Sequence, residues 1–382
     1  MSEPRSLPPL SNLTTLRLGG PPLAFVRAGT DAAIIAALSE AGGPVLLVGG
    51  GSNLVVADEG FPGLVIQIDT KGIVFDDRGP VVRVTAAAGE PWDDLVAACV
   101  AKGLRGLECL SGIPGTVGAV PLQNVGAYGQ EVSDTVVSVR TFDRVMRCTT
   151  HVPAQACAFG YRTSAFRGWE RHVVLDVTFE LAKASSSVVP DYAELRRALG
   201  LDRAESATEA PIALTRKTVL ALRGQKGMVL DPNDPDSVSA GSFFTNPLLE
   251  DAQVATLREA VLARLGPGVS PPLFLDAPSG RTKTSAAWLI ERAGFEKGYG
   301  VGRAGLSSKH TLALVNRGGA TTRELLDVAV AVRRGVLRTF GVTLHPEPIF
   351  VGFSSPHASD VLAEWAPVDA SSFGASPPGR TP

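Results

Sequence analysis

Three consecutive glycines, Gly49 to Gly51, precede Ser52 and Asn53 and follow residues 45–48, which have the character of a buried strand. Glycine lets a backbone approach an anion closely, and the backbone N–H groups can donate to phosphate oxygens. No Gly-Lys-Ser/Thr follows, as a Walker loop requires, and no third glycine opens a helix at the spacing of a dinucleotide-binding fingerprint. From this motif alone, a plain tight turn and a phosphate-binding loop are both possible interpretations.

A second glycine-rich stretch, residues 109–129, is more specific. Its glycines are interspersed with proline, threonine, glutamine, asparagine and tyrosine. Such a sequence disfavours regular structure but offers many backbone donors on an irregular surface. A surface of this kind suits a pyrophosphate with an attached ring system, so we interpret the stretch as a ligand contact.

The hydrophobic pattern predicts the elements that position these loops. Strands are predicted at residues 45–48, 54–56, 64–68, 81–86, 136–142, 173–181 and 311–315. Helices are predicted at residues 31–41, 91–102, 191–199, 285–293 and 321–340. The last helix has Thr321 and Glu324 at capping-box spacing and an apolar face that is best interpreted as core. The mixture indicates an α+β protein.

A chain of 382 residues is too long for one ordinary core, so we expect more than one domain. Pattern changes predict the following division: a loose lead-in at 1–12, a first domain at 13–183, a connecting segment at 184–210, a second domain at 211–353 and a disordered tail at 354–382.

Composition excludes several classes of function. The formal net charge of −2 gives no broad footprint for nucleic acid or an anionic membrane. The four cysteines form no CxxC pair and the five histidines are scattered, so we expect neither a disulfide framework nor a metal site. No signal-peptide core or membrane-length apolar run is present, so we expect a cytoplasmic protein with small-molecule ligands and no indicated protein partner.

Several motifs occur in an order that is hard to obtain by chance. They lie at residues 45–54, 111–118, 123–129, 159–164, 240–247, 285–290 and 346–347. Together they resemble the UDP-N-acetylenolpyruvoylglucosamine reductase (MurB) family, over roughly residues 14–352.

The resemblance implies a fold and an activity. The fold would be a FAD-binding domain of the vanillyl-alcohol-oxidase (PCMH) type followed by a smaller α+β substrate-binding domain. With FAD and NADPH as cofactors, the enzyme would reduce UDP-N-acetylglucosamine enolpyruvate to UDP-N-acetylmuramate. That reaction belongs to peptidoglycan precursor synthesis and so to cell-wall biogenesis, cell shape and cell division.

The resemblance also implies a catalytic group of Arg162, Ser242 and Glu347. By residue type alone they would more often be a surface arginine, a turn serine and a solvated carboxylate. Hydride addition to the β-carbon of the enolpyruvyl group drives negative charge towards the adjacent carboxylate. Arg162 would stabilise that charge, Glu347 would polarise the same carboxylate, and Ser242 would protonate the α-carbon as general acid.

The remaining expected contacts form two sets. Cofactor-binding residues would be Gly49, Gly50, Gly51, Ser52, Asn53, Ser111, Gly112, Ile113, Pro114, Gly115, Thr116, Gly118, Asn124, Gly126, Ala127 and Tyr128. Substrate-binding residues would be Tyr161, Tyr192, Arg223, Lys226 and Asn246, with Arg223 and Lys226 meeting the diphosphate. Lys309 and His310 are weaker candidates: for Lys309 a surface position is an equal alternative, and for His310 a surface or hydrogen-bonded histidine is the better default.

Two other functions fit the same first domain, because a fold does not fix a function. One is a flavin-dependent sugar or lactone oxidase, and the other is a non-catalytic FAD-binding scaffold. The presence of Ser242 and Glu347 in their motifs favours the reductase.

Overall fold

The computed structural model describes residues 7–168, 171–201, 208–276 and 279–353. Its α-helices are α1 (Asp31–Glu40), α2 (Trp92–Ala101), α3 (Ala193–Ala198), α4 (Ile212–Gln225), α5 (Asp251–Leu265), α6 (Ala286–Arg292) and α7 (Thr322–Phe340). The strands of the first half are β1 (Pro22–Ala28), β2 (Val45–Val48), β3 (Leu54–Val56), β4 (Phe61–Ile68), β5 (Ile73–Arg78), β6 (Val81–Ala87), β7 (Leu104–Arg105), β8 (Gly126–Ala127), β9 (Gln130–Glu131), β10 (Val136–Asp143), β11 (Cys148–Pro153) and β12 (His172–Lys183). Those of the second half are β13 (Ser186–Val188), β14 (Glu209–Pro211), β15 (Ser239–Ser242), β16 (Leu248–Leu249), β17 (Leu273–Asp276), β18 (Arg281–Thr284), β19 (Ala304–Leu306), β20 (Ala313–Asn316) and β21 (Ile349–Val351).

The chain opens with a small parallel sheet in the order β1-β4-β2. Helix α1 connects β1 to β2 and buries Ile34 and Leu38 against this sheet. Thr30 caps the helix, because its hydroxyl accepts the N–H of Ala33 at 3.2 Å. The glycine run leaves β2 at the carboxyl end of that strand.

A larger antiparallel sheet follows in the order β11-β10-β12-β6-β5, with β7 also paired to β12. Alternate residues of β12, including Val177, Phe179 and Leu181, face a core shared with α2. Trp92 is fully buried there, and its indole N–H donates to the carbonyl of Leu110 at 3.0 Å. Helix α2 thereby anchors the start of the second glycine-rich stretch.

The C-terminal part packs α5, α6 and α7 on the sheets β15-β20-β19 and β16-β18-β17. The capping box predicted for Thr321 and Glu324 is present, and α7 ends at Gly341 in the left-handed conformation. The buried residues of α7 include five members of the predicted apolar face: Leu325, Ala329, Val332, Val336 and Phe340. These findings confirm the interpretation of that face as core.

The two parts are joined by more than the chain connection. Strand β21 pairs in parallel with β3, which directly follows the glycine run. Leu16, Leu18 and Val55 from the first part are buried in the C-terminal core. This return of the chain brings residues near 347 next to the first glycine loop.

Two differences from the sequence prediction concern the ends and the helices. Residues 1–6 and 354–382 lie outside the described residues, but Leu10 is buried and its N–H donates to Gly20, so the lead-in is packed from residue 10 onwards. Helices α4 and α5 were not predicted, because charged and threonine side chains interrupt their apolar pattern. Helix α4 packs against α2 and the turn Glu108–Leu110, although it opens the predicted second domain, whose boundary stays a prediction.

Candidate active site

The two glycine loops predicted to hold a cofactor lie against each other. A β-carbon on Gly49 would overlap the hydroxyl of Thr116, and one on Gly50 would lie 2.8 Å from the Cα of Gly115. The hydroxyl of Ser52 donates to the carbonyl of Pro114 at 3.1 Å. Only glycine permits this approach, so the spacing of both motifs has a structural reason.

The first loop also has the donors that a phosphate requires. Within the described ranges, the backbone N–H groups of residues 49–53 donate no hydrogen bond to another group of the chain. Gly51 has φ of +60°, which turns successive N–H groups towards one side. A cavity of about 270 Å³ borders Gly50 and is otherwise lined by residues from the ranges 12–17 and 230–238. The loop therefore fits the pyrophosphate of a dinucleotide such as FAD.

Further along the second stretch, two predicted cofactor contacts have protein partners for their side chains. The hydroxyl of Ser111 donates to the Glu108 carbonyl at 2.6 Å. The Asn124 amide donates to Glu131 Oε2 at 2.7 Å and to the Gly160 carbonyl at 3.2 Å. The backbone N–H groups of Ser111 and Asn124 also donate within the chain, to the carbonyls of Glu108 and Val120. Both residues therefore shape the loop, and their role as cofactor contacts stays a prediction.

Arg162 lies at the tip of a tight turn whose ends, Gly160 and Thr163, exchange backbone hydrogen bonds of 3.1 and 3.2 Å. Arg162 has φ of +53°, a left-handed conformation that is costly for a residue with a side chain. Its Nη2 donates to the Gly126 carbonyl at 2.9 Å, and its Nε lies 3.2 Å from Glu347 Oε1. Two of the three predicted catalytic residues are therefore in direct contact, next to the second glycine stretch.

Glu347 is held from both parts of the chain. Its N–H donates to the Phe243 carbonyl at 2.9 Å, and Gln123 Nε2 lies 3.5 Å from its Oε1. The side chain of Asn53 donates to Gln123 Oε1 at 2.9 Å and so links Glu347 to the first glycine loop. The carboxyl group consequently sits where the glycine loops and the C-terminal part meet.

The electrostatics of Glu347 combine two opposed effects. Burial raises the pKa of its carboxyl group, whereas the cations of Arg162 and Arg167 lower it, and burial prevails. An ion pair at 3.2 Å by itself would lower the pKa, so the net rise indicates a strongly desolvated carboxyl group. Such a group retains a proton more readily than an exposed glutamate.

Ser242 ends β15 and is half-buried. It directly precedes Phe243, whose carbonyl receives the N–H of Glu347, so Ser242 and Glu347 lie on adjoining segments. Thr245 and His345 continue that pairing through a hydrogen bond of 3.0 Å. The structure therefore places Ser242 on the backbone segment that pairs with the Glu347 segment, and the meeting of its hydroxyl with the other two residues stays a prediction.

Tyr161 and Asn246 belong to the same region. The Tyr161 ring faces the Arg162 guanidinium at 5.4 Å and Lys283 Nζ at 4.8 Å. Asn246 Oδ1 accepts the N–H of Ala286 at 2.9 Å, at the start of α6. The Asn246 side chain thus has a structural partner in addition to any ligand contact.

The other predicted substrate residues form a second cluster around Tyr128. The Tyr192 ring packs edge-on against it at 5.2 Å, and Lys226 Nζ lies 5.7 Å from its ring centre. Lys226 also pairs with Glu194 Oε2 at 2.5 Å. Arg223 donates from Nη2 to the Met228 carbonyl, and its buried Nε has no partner among the described groups. Burial lowers the pKa of Arg223.

Lys309 and His310 differ in their surroundings. Lys309 pairs with Asp234 at 2.8 Å, which raises the pKa of the ammonium group. Burial, assisted by the charges of Lys226 and Lys297, lowers the pKa of His310 to about 4. Lys309 is therefore already neutralised by a carboxylate, whereas His310 is buried within electrostatic reach of Lys226.

Sequence reasoning missed three charged residues beside Arg162. Glu131 accepts from Asn124, and its pKa is raised by burial although Arg162 opposes the rise. Lys283 covers Tyr161, and Arg167 donates to the Arg162 carbonyl. The available signal was proximity in sequence, since Arg167 follows the Arg162 motif and Lys283 precedes the motif at 285–290.

The described part of the chain contains no group of three or more His, Cys, Asp or Glu side chains arranged to hold a metal ion. None of its helices is both long and apolar enough to cross a membrane.

Comparison with known proteins defines the class first. Residues 22–145 match the FAD binding domain family, and these residues include the loops around Gly49 and Gly115. Residues 233–351 match the family described as UDP-N-acetylenolpyruvoylglucosamine reductase, C-terminal domain. The chain is thus a two-part flavoprotein, which confirms the predicted fold class.

The relatives specify the family. UDP-N-acetylenolpyruvoylglucosamine reductase of Thermobifida fusca is 53% identical over 348 residues, covering 90% of this chain and 97% of the relative. The protein of that name from Streptomyces coelicolor is 54% identical over 349 residues, covering 90% and 89%. The crystal structure of the Thermus caldophilus reductase (MurB) has a TM-score of 0.61 at 25% identity and covers 90% of this chain and 97% of that one. The chain belongs to the UDP-N-acetylenolpyruvoylglucosamine reductase family, as its motifs had indicated.

Proposed function

We propose that this chain reduces UDP-N-acetylglucosamine enolpyruvate to UDP-N-acetylmuramate with NADPH, in the synthesis of peptidoglycan precursors. The observation that carries the proposal is the contact of Arg162 with a desolvated Glu347, beside two joined glycine loops. Residues 49–53 and 112–118 would hold the pyrophosphate of FAD. When bound, FAD would supply the hydride transfer from NADPH to the enolpyruvyl group.

Arg162 would bind the carboxylate of the substrate's enolpyruvyl group. Its guanidinium is fixed by the Gly126 carbonyl and by Glu347, so little reorganisation is needed as negative charge develops. Glu347, whose pKa is raised by burial, would in its protonated form donate a hydrogen bond to the same carboxylate. Both groups would favour the transition state over the bound substrate.

Ser242 would donate the proton to the α-carbon. A serine hydroxyl is a weak acid, so its action depends on a strongly basic carbon and on nearby cations. Arg162 and Lys283 are the cations that lie around Tyr161, in the same region. The position of Ser242 next to Phe243, on the segment paired with Glu347, supports this role.

The diphosphate of the substrate would bind in the cluster around Tyr128. Lys226 and Arg223 bring two cations to this part of a chain whose formal net charge is only −2. Tyr192, the residue that precedes α3, would cover the ligand, while Tyr161 and Asn246 would contact it nearer the reacting end. We place the reaction in the cytoplasm, where NADPH is available.

The test is steady-state oxidation of NADPH by the purified flavoprotein, with and without UDP-N-acetylglucosamine enolpyruvate. The proposal requires oxidation that depends on the UDP-sugar and yields UDP-N-acetylmuramate in equal amount. An oxidase would instead consume oxygen with a sugar or lactone and without NADPH. A flavoprotein that gives neither reaction would be a scaffold, and either result would overturn the proposal.

A further inference from the structure

A second arginine, Arg167, lies beside the catalytic pair and has no role in the mechanism above. Its chain position is fixed by two neighbours. Phe166 is buried and donates its N–H to Ser164 Oγ at 3.1 Å, and Ser164 Oγ donates to the Leu122 carbonyl at 2.9 Å. The side chain of Arg167 therefore starts from a rigid base five residues after Arg162.

The guanidinium of Arg167 reaches back to the turn that carries Arg162. Its Nη1 donates to the backbone carbonyl of Arg162 itself. Because Arg162 has φ of +53°, its conformation persists only if the surroundings hold it. The bond fixes the peptide that follows Arg162, in addition to the Gly160–Thr163 bonds across the turn.

Arg167 also interacts electrostatically with Arg162 and Glu347. Burial lowers the pKa of Arg167 and the like charge of Arg162 lowers it further, while Glu347 opposes both. Glu347 is consequently attracted by two guanidinium groups, of which Arg162 approaches to 3.2 Å. Arg167 thus adds a second cation to a site in which Glu347 and Glu131 both lie near Arg162.

We propose that Arg167 is a positioning residue for substrate reduction, which holds the Arg162 backbone and thereby the placement of the Arg162 guanidinium against the substrate carboxylate. This inference rests on the proposed function. A misplacement of about 1 Å can cost about 10²-fold in rate, so the loss of one backbone anchor is expected to be visible in kinetics.

The primary variant is Arg167→Met, studied in the holoenzyme by stopped-flow absorbance of the flavin. Reoxidation by the UDP-sugar should slow about 10- to 100-fold. Reduction by NADPH and FAD content should match wild type. Arg167→Lys should recover part of the rate, because lysine keeps a cationic donor but lacks the planar fork of arginine. If Arg167→Met does not fold, Arg167→Lys takes its place as the primary variant. Added guanidinium should restore part of the rate of Arg167→Ala.

The decisive readout is a double-mutant cycle with Arg162→Lys. If Arg167 acts through Arg162, its replacement should cost much less in the Arg162→Lys background than in wild type. The control is Arg171→Met, which removes an arginine four positions further on that pairs with Asp143 at 2.6 Å, and it should reoxidise at the wild-type rate.

Equal losses in both backgrounds, wild-type reoxidation in Arg167→Met, or loss of FAD in place of slowed reoxidation would overturn the inference. Reoxidation of the wild-type flavin by the UDP-sugar, recorded in the same experiment, distinguishes failure of this inference from failure of the proposed function. If wild type is not reoxidised by the UDP-sugar, the proposed function is wrong and the inference falls with it.

Discussion

Replacing Gly115 with alanine should weaken FAD binding without unfolding the protein. Gly115 has φ of +116°, and a β-carbon there would lie 2.9 Å from Ser52 Oγ, across the contact of the two glycine loops. Such a conformation costs a residue with a side chain about 1–3 kcal/mol. If the unliganded loop can relax and the bound loop cannot, that cost corresponds to a rise in the Kd for FAD of about 5- to 150-fold.

The assay is titration of apoprotein with FAD, followed by quenching of flavin fluorescence, with thermal unfolding recorded on the same samples. The matched control is Gly79→Ala in the turn between β5 and β6. Gly79 has φ of +81°, but a β-carbon there would meet no atom within 4 Å. Gly79→Ala should lose stability and keep the wild-type Kd. If Gly115→Ala binds FAD as tightly as the control does, the two loops do not hold the cofactor as proposed.

Three further predictions concern charged residues. Alanine at Arg223 or Lys226 should raise the KM for the UDP-sugar about tenfold or more with little change in kcat, since a hydrogen bond to a charged group contributes about 1.5–3 kcal/mol; an unchanged KM would place the diphosphate elsewhere. Glu194→Gln should lower that KM, because Lys226 no longer has to leave an ion pair of 2.5 Å, and a higher KM would contradict this competition. The melting temperature of Glu347→Gln relative to wild type should be higher at pH 7.5 than at pH 4.5. The raised pKa means that the folded state binds more protons, so wild type loses stability as pH rises above the unfolded pKa. An equal effect at both pH values would contradict the direction of the pKa shift.

Much of the fold could be predicted because local signals agreed with it. The cap at Thr30, the box of Thr321 with Glu324, and the apolar face of α7 all describe short-range chemistry, and the structure contains each. The glycine loops could be recognised as unusual, but their contact could not. Glycine spacing does not reveal that Thr116 will occupy the space beside Gly49.

The site required information that no local pattern contains. Arg162 and Glu347 are far apart in sequence, and their contact depends on β21 returning to pair with β3. Only the family resemblance brought these residues together beforehand. Arg167 could not be predicted as a site residue, because an isolated arginine after a motif is usually a surface residue. The hydrogen bond from Arg167 to the Arg162 carbonyl depends on the left-handed conformation of Arg162, which no sequence signal predicts.

The most direct test of the account separates the two halves of the reaction in one preparation of Ser242→Ala. We expect NADPH to reduce the flavin of this variant at nearly the wild-type rate. Reoxidation by UDP-N-acetylglucosamine enolpyruvate should slow by about 10²–10⁴, the usual contribution of a positioned general acid, with little change in substrate affinity. Reoxidation at the wild-type rate, or a loss confined to reduction by NADPH, would show that Ser242 does not supply the proton and would contradict the assignment of the catalytic group.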